Sequence, residues 1–200
     1  MKYYLKQSVF LILYNIFMTI IARAILCIQG DDLAWLKILL CVLNIALYLF
    51  IVFMTMYAEG GEALKVRHAN DLNRREIIRT GEDLPLKLNE EYKPWKGFLI
   101  GFLIGSPIII CLIIHTILCL ASGGTLIGAG VVSSILYMAF FAPVTVLLNV
   151  SVLAWGHYYI VLYTIPVIMA VAGLSYLFGG KKIQAQYDKI EQKQREIYGN

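Results

Sequence analysis

The sequence is short of charge, and from residue 97 to residue 180 it contains no Asp, Glu, Lys or Arg at all. Over the whole chain these four residue types account for 15%, whereas soluble globular domains carry about 25%. A soluble domain has no place for so long an uncharged stretch, because its apolar surface would face water. The missing charge therefore excludes a soluble domain there and predicts an integral membrane protein.

Motifs of enzymes and cofactor sites are missing as well. The chain has no phosphate-binding P-loop, no nucleophile elbow, no HExxH helix and no paired carboxylates inside an apolar segment. Its four cysteines form no CxxC pair, and their apolar surroundings are typical of small buried side chains. Cys111, His115 and Cys119 are spaced four apart like metal ligands, but about 12 Å of helix rise separates the two cysteines. We therefore expect neither a metal nor another cofactor.

The charge that is present concentrates in residues 58–96, between two apolar regions. This segment holds eight of the 17 basic and eight of the 13 acidic residues. We interpret it as a charged, solvated cytoplasmic loop, with a docking surface for a soluble partner as the alternative. Asn73 and Glu76 match a capping box that begins a short helix, and Gly81 suits its end. Three basic residues are candidate contacts for a lipid headgroup or a partner: Arg74, Arg75 and Arg79.

Residues 1–57 predict a transmembrane hairpin. The apolar segments at about 8–28 and 33–57 each reach the roughly 20 residues that a bilayer crossing takes, and their short connection makes them antiparallel. Asn15 and Asn44 fall near mid-membrane, where an amide bonds to a neighbouring helix. Arg23, near the end of the first segment, is interpreted as an ion-pair partner of Asp31 or Asp32, with a substrate contact as the alternative.

Residues 97–180 predict an uncharged transmembrane block of about three helices. Gly97, Gly101 and Gly105 share one helix face and predict close packing against another helix, in this chain or in a second copy. His115 adds an intramembrane polar group to the same helix. The glycine-rich residues 121–134 predict a tight turn, with a re-entrant loop as the alternative. Two further apolar segments follow, at about 126–148 and 158–178.

The tail, residues 181–200, predicts an amphipathic helix, because Ile183, Ile190 and Ile197 recur every seven residues among polar ones. We expect it to dock on a partner helix in preference to lipid. The excess of basic residues places the charged loop in the cytoplasm, but five crossings would then carry the basic tail to the other side. Four crossings with a re-entrant or interfacial segment would avoid this conflict, although five remain our expectation.

The expected fold is an all-α polytopic cell-membrane protein, a bundle of about five transmembrane helices with one charged cytoplasmic loop and an amphipathic C-terminal helix. Its expected function is that of a non-catalytic subunit or accessory factor of a larger membrane assembly. The expected partners are the lipid bilayer and other membrane proteins or a second copy. A net charge of +4 that flanks apolar runs does not indicate a nucleic-acid partner.

Two alternatives for the function remain open. A small permease or transporter component would use intramembrane polar residues as a pathway. A membrane enzyme would act on lipid headgroups through arginines and glutamates at the membrane surface. The residues concerned are Asn15, Asn44, Ser133 and Tyr137 for the pathway, and Arg74, Arg75, Glu90 and Glu91 for the headgroup site.

Overall fold

The computed structural model describes residues 2–26, 34–121 and 164–198. All the regular elements in these ranges are helices: α1 (Lys2–Leu26), α2 (Ala34–Thr80), α3 (Lys96–Ala121) and α4 (Thr164–Tyr198). The predicted all-α class is confirmed for this part of the chain. Two of these helices are long and apolar enough to cross a membrane, over Trp35–Thr80 and Thr164–Ile197, and shorter apolar stretches cover Lys6–Ala22 and Lys96–Pro107. The predicted glycine-rich turn and the segment after it lie outside the described residues, and five helices are not shown.

The helix α2 continues without a break from the apolar segment into the charged one. Its 47 residues give a rod about 70 Å long. The expected loop from residue 58 and the expected helix start at Asn73 are therefore wrong. No proline interrupts this stretch, and it carries three ion pairs between residues three apart, which support a helix. The predicted end is confirmed, since α2 stops at Thr80 and Gly81 follows with a φ of +74°.

The helix α4 likewise joins the last apolar segment to the tail. It runs for 35 residues, about 52 Å, so the helix predicted for the tail is confirmed but does not begin at residue 181. The helices α2 and α4 run parallel. Gly61 of α2 faces Ile183 of α4. Further along both helices, the rings of His68 and Tyr187 lie 4.0 Å apart. The tail thus lies at the same end of the bundle as the charged segment.

The other two helices run against this pair. Gly97 at the start of α3 lies beside Tyr176, while Gly105 lies beside Ile165, so α3 and α4 are antiparallel. The same holds for α1 and α2, because Gln7 contacts Glu59 and Met18 contacts Asn44. The start of α1, the end of α2, the start of α3 and the tail therefore all meet at one end, here called the charged end.

The bundle places polar side chains inside and many large apolar ones outside. Ser8, Asn15, Thr19, Asn44 and Ser175 are buried. Large apolar side chains of all four helices are exposed, among them Phe10, Phe17, Ile38, Leu43, Phe50, Phe102, Ile113, Val167 and Phe178. The buried apolar core lies between the helices and includes Leu11, Val52, Met56, Ile100, Ile104, Ile168 and Ala172. So many large apolar side chains on the outside are not expected in a water-soluble bundle.

Candidate functional site

Two helices come into backbone contact at the charged end through pairs of glycines. A Cβ atom at Gly60 would overlap the carbonyl group of Tyr176, and one at Gly179 would overlap the carbonyl group of Tyr57. Only glycine fits at either position, because any side chain would force the two backbones apart. Sequence reasoning missed this contact, although adjacent glycines near the ends of two apolar segments were a visible signal.

The predicted glycine face of α3 lies along α4. A Cβ atom built on Gly97 would stand 2.6 Å from Tyr176 Cβ, and one on Gly101 would stand 2.7 Å from Met169 Cα. At Gly105 the nearest atom is the Ile165 side-chain carbon Cγ2, at 3.0 Å. The available space therefore widens along the helix, from contacts with main-chain and Cβ atoms to contact with a side chain. All three glycines face a helix of this chain.

Tyr176 joins three parts of the chain at the charged end. It lies against Gly60 of α2 and Gly97 of α3. Its ring stacks on that of Tyr92, with centroids 5.2 Å apart and planes 1° from parallel. Tyr92 belongs to the segment between α2 and α3, and its backbone N–H donates to the Ala63 carbonyl at 3.0 Å. Tyr176 thus marks the point where α2, α3, α4 and the connecting segment pack together.

A half-buried carboxylate, that of Glu59, lies at the same level. Gln7 Nε2 of α1 donates to Glu59 Oε2 of α2 at 2.8 Å. Within the described residues the other oxygen, Oε1, is buried and has no hydrogen-bond partner. Burial raises the pKa of Glu59; the Lys96 cation acts in the opposite direction, while Glu62 and Glu90 add to the rise. The site therefore favours the protonated form of this carboxyl.

The ammonium group of Lys96 is the buried cation of the charged end. Lys96 begins α3, is 1% exposed, and donates through Nζ to the carbonyls of Asn89 and Glu91. Desolvation lowers the pKa of Lys96, and Lys93 lowers it further, whereas Glu59 raises it. The carbonyls of the connecting segment replace part of the hydration that this cation loses.

A polar brace fixes the connecting segment to α2. Arg74 Nη2 donates to Glu91 Oε1 at 2.6 Å, and Asn70 Nδ2 donates to the same oxygen at 2.8 Å. Asn70 is itself buried and accepts from the backbone N–H of Lys87 at 3.1 Å. Arg74 Nη1 also donates to Asp71 at 2.8 Å. The ion pair between Arg74 and Glu91 thus joins α2 to the connecting segment.

The three predicted arginines do not form one cluster. Arg74 is engaged with Glu91 and Asp71, and Arg79 is exposed and pairs with Glu76 at 2.7 Å. Arg75 is exposed. A headgroup site that combines Arg74 with Glu91 would therefore have to break an existing ion pair.

The two predicted intramembrane amides lie between α1 and α2. Asn44 Nδ2 of α2 donates to the Met18 carbonyl of α1 at 3.1 Å. Asn15 is buried on α1, and its backbone carbonyl accepts from Thr19 Oγ1 at 2.8 Å. The other two predicted polar positions, Arg23 and His115, lie in α1 and α3, but their side chains fall outside the described part of the structure, as do those of Cys111 and Cys119.

No family model, no curated protein and no solved structure matches the chain.

Proposed function

We propose that the protein is a non-catalytic membrane-embedded subunit or accessory factor, whose helical bundle anchors it in a cell membrane and whose projecting helices bind a partner protein. The projecting helices are residues 62–80 of α2 and 183–197 of α4. The observation that carries the proposal is that two parallel helices extend well past the apolar bundle at one end, with apolar side chains exposed along them.

The many exposed apolar side chains of the bundle support its insertion in lipid. Exposed Phe, Ile and Leu side chains on all four helices would each cost about 1.5 to 3 kcal/mol if they faced water. Buried Asn44 bonds to the backbone of another helix, which is how amides hold helices together in a membrane.

The helix directions support an even number of crossings. The helix α3 leaves the charged end and α4 returns to it, so we propose an even number of crossings from α3 through α4 and four crossings in the whole chain. The basic tail and the basic charged segment then share one side. With that shared side cytoplasmic, the proposed arrangement agrees with the positive-inside rule.

The length of the projecting helices favours a protein partner over lipid. Because α4 is one helix, Ile190 and Ile197 lie about 15 and 25 Å beyond Gly180 along its axis, outside the reach of a bilayer that ends there. Ile197 is 74% exposed, and Ile78 on α2 is 84% exposed. We therefore propose that a partner protein binds over these exposed isoleucines.

The two alternatives have less support. Asn15 and Asn44 are buried between helices, so a transport pathway through them would have to separate α1 from α2. An enzyme site at Arg74 and Glu91 would have to break their ion pair.

Site-specific photo-cross-linking in the native membrane tests the docking proposal. A photoreactive residue at Ile197 should yield a discrete adduct with another protein, whereas the same residue at Phe102, on the exposed apolar face of α3, should not give that adduct. Ile190→Lys with Ile197→Lys should abolish it, and Gln186→Lys with Gln194→Lys should leave it intact. A chain that gives no adduct at Ile197 would contradict the proposal.

Cysteine labelling in whole cells tests the topology. In a background without the four native cysteines, single cysteines at Glu82 and Gln192, both exposed positions, should be shielded from an impermeant maleimide and react after permeabilisation. Labelling of only one of them in intact cells would show that the two sites lie on opposite sides.

A further inference from the structure

The Glu59 carboxyl lies where α1 closes over α2. One of its oxygens holds α1 through Gln7, and the other is buried without a hydrogen-bond partner among the described residues. An ionised carboxylate accepts hydrogen bonds only, so a buried oxygen with none is unfavourable for the charged form. A bound proton removes that charge, whereas movement of α1 away from α2 would let water reach the oxygen.

Charged groups of both signs lie around Glu59. Lys96 of α3 attracts the carboxylate, but its Nζ is directed at two carbonyls of the connecting segment. Glu62 on α2 and Glu90 in the connecting segment repel the carboxylate. The helix α1 offers the neutral Gln7, and on α4 Lys182 lies over the ring of Tyr57, 5.5 Å from its centroid.

We propose that Glu59 is a proton-binding site that couples the packing of α1 against α2 to pH. The carboxyl binds a proton when α1 is closed and releases it when α1 moves away. The proposal goes beyond partner docking and holds whether or not a protein binds the projecting helices.

The linkage between proton binding and closure gives the direction of the pH dependence. Burial raises the pKa of Glu59 in the closed form, whereas a hydrated carboxyl in the open form has the ordinary pKa of a glutamate side chain. The contribution of Glu59 to closure is therefore complete below that ordinary value and is lost as pH rises through the raised pKa. Each unit of difference between the two pKa values changes the closed-to-open ratio tenfold across the titration.

Spin-label distances test the coupling directly. Nitroxides at Val9 of α1 and Met54 of α2, both exposed, report the separation of the two helices in lipid nanodiscs. The short-distance population should be larger at pH 5 than at pH 8. Glu59→Gln should give the same population at both pH values, because its amide is neutral throughout. Glu62→Gln replaces an exposed carboxylate that pairs with Lys65, and this variant should keep the pH response. A wild-type distance that ignores pH, or a response retained in Glu59→Gln, would overturn the proposal.

A second measurement does not depend on a variant at position 59. Infrared difference spectra of the wild-type protein should show the carbonyl band of a protonated, buried carboxyl on acidification. Gln7→Leu removes a hydrogen bond to the charged form, so it should move the onset of that band to higher pH. An onset that Gln7→Leu leaves in place would show that the titrating carboxyl is not Glu59.

Discussion

The interfaces of α4 and the interface of α1 hold helices together by different means. The helix α4 meets α2 and α3 at glycines, where backbones approach so closely that a Cβ would overlap a neighbouring carbonyl or stand within 3 Å of a backbone or Cβ atom. The helix α1 meets α2 through side-chain hydrogen bonds, from Gln7 to Glu59 and from Asn44 to Met18. The first kind of contact depends on shape alone, and part of the second depends on protonation.

This difference indicates which helix can move. Where lipid surrounds a bundle, apolar side chains gain little by leaving it for another helix, so association rests on close packing and on hydrogen bonds. The glycine contacts bring backbones together and allow many atoms to pack. The hydrogen bonds between α1 and α2 are few, and each can be exchanged for another hydrogen bond. We therefore expect α2, α3 and α4 to form the rigid part of the molecule and α1 the adjustable part.

The largest effect is expected from a bulky side chain placed where the backbones of α2 and α4 lie closest together. Gly60→Leu should destabilise the protein by about 3 kcal/mol or more, because the new side chain overlaps the backbone of α4 at Tyr176. Thermal unfolding in mild detergent measures the change. Ala58→Leu adds bulk at an exposed position two residues earlier and should leave the melting temperature almost unchanged. Equal effects of the two variants would mean that the α2 and α4 backbones are not in contact.

Substitution by alanine, a smaller change, should rank the glycines of α3 by the space around them. Gly101→Ala should cost about 1 to 3 kcal/mol, because its Cβ would meet the backbone of Met169. Gly105→Ala should be close to neutral, since the Ile165 side chain can shift and alanine favours the helix by about 1 kcal/mol. Melting temperatures of the two variants in the same detergent test the order, and the reverse order would contradict the described packing of α3 on α4.

The amide interface should respond more weakly. Asn44→Leu should cost about 0.6 to 1.7 kcal/mol, the range for a hydrogen bond between helices in a membrane, and should widen the distance between labels on α1 and α2. Leu43→Val, at the exposed neighbouring position, is the matched control. An effect as large as that of Gly60→Leu would remove the distinction between a rigid and an adjustable interface.

The smallest effect is expected outside both interfaces, at the polar brace. Glu91→Gln should reduce stability by about 1 kcal/mol or less, because Arg74 is partly exposed and keeps Asp71 as a partner. Added salt should weaken the wild-type protein slightly and the variant less. Should the loss exceed that of Asn44→Leu, the connecting segment would have to be counted with the rigid part.

Part of this arrangement was predictable from residue patterns alone. The uncharged stretch predicts apolar helices, Gly81 suits the end of α2, and the four-residue spacing of Gly97, Gly101 and Gly105 places them on one helix face. Such features depend on residues near one another in the chain, so helix geometry alone connects them. The identity of the partner helix was not predictable, because any apolar helix can pack against a glycine face.

The contacts of Glu59 show the limit of the sequence more sharply. Glu59 and Gln7 are 52 residues apart in the chain, and no local pattern distinguishes Glu59 from the exposed Glu62 three residues later. Burial separates them, since Glu62 pairs with Lys65 in water while Glu59 faces α1. That burial arises only when α1 packs on α2.

By itself the sequence determined that the apolar segments and the tail form helices, that an uncharged region adjoins a charged one, and where α2 ends, because these properties follow from composition and local backbone preference. Only the tertiary structure decided that α2 and α4 run parallel, that the tail lies with the charged segment, and that Glu59 is half-buried with one oxygen enclosed. Those features depend on which helices approach one another. That choice rests on the combined fit of glycine surfaces and buried polar groups on separate parts of the chain, and no local pattern encodes it.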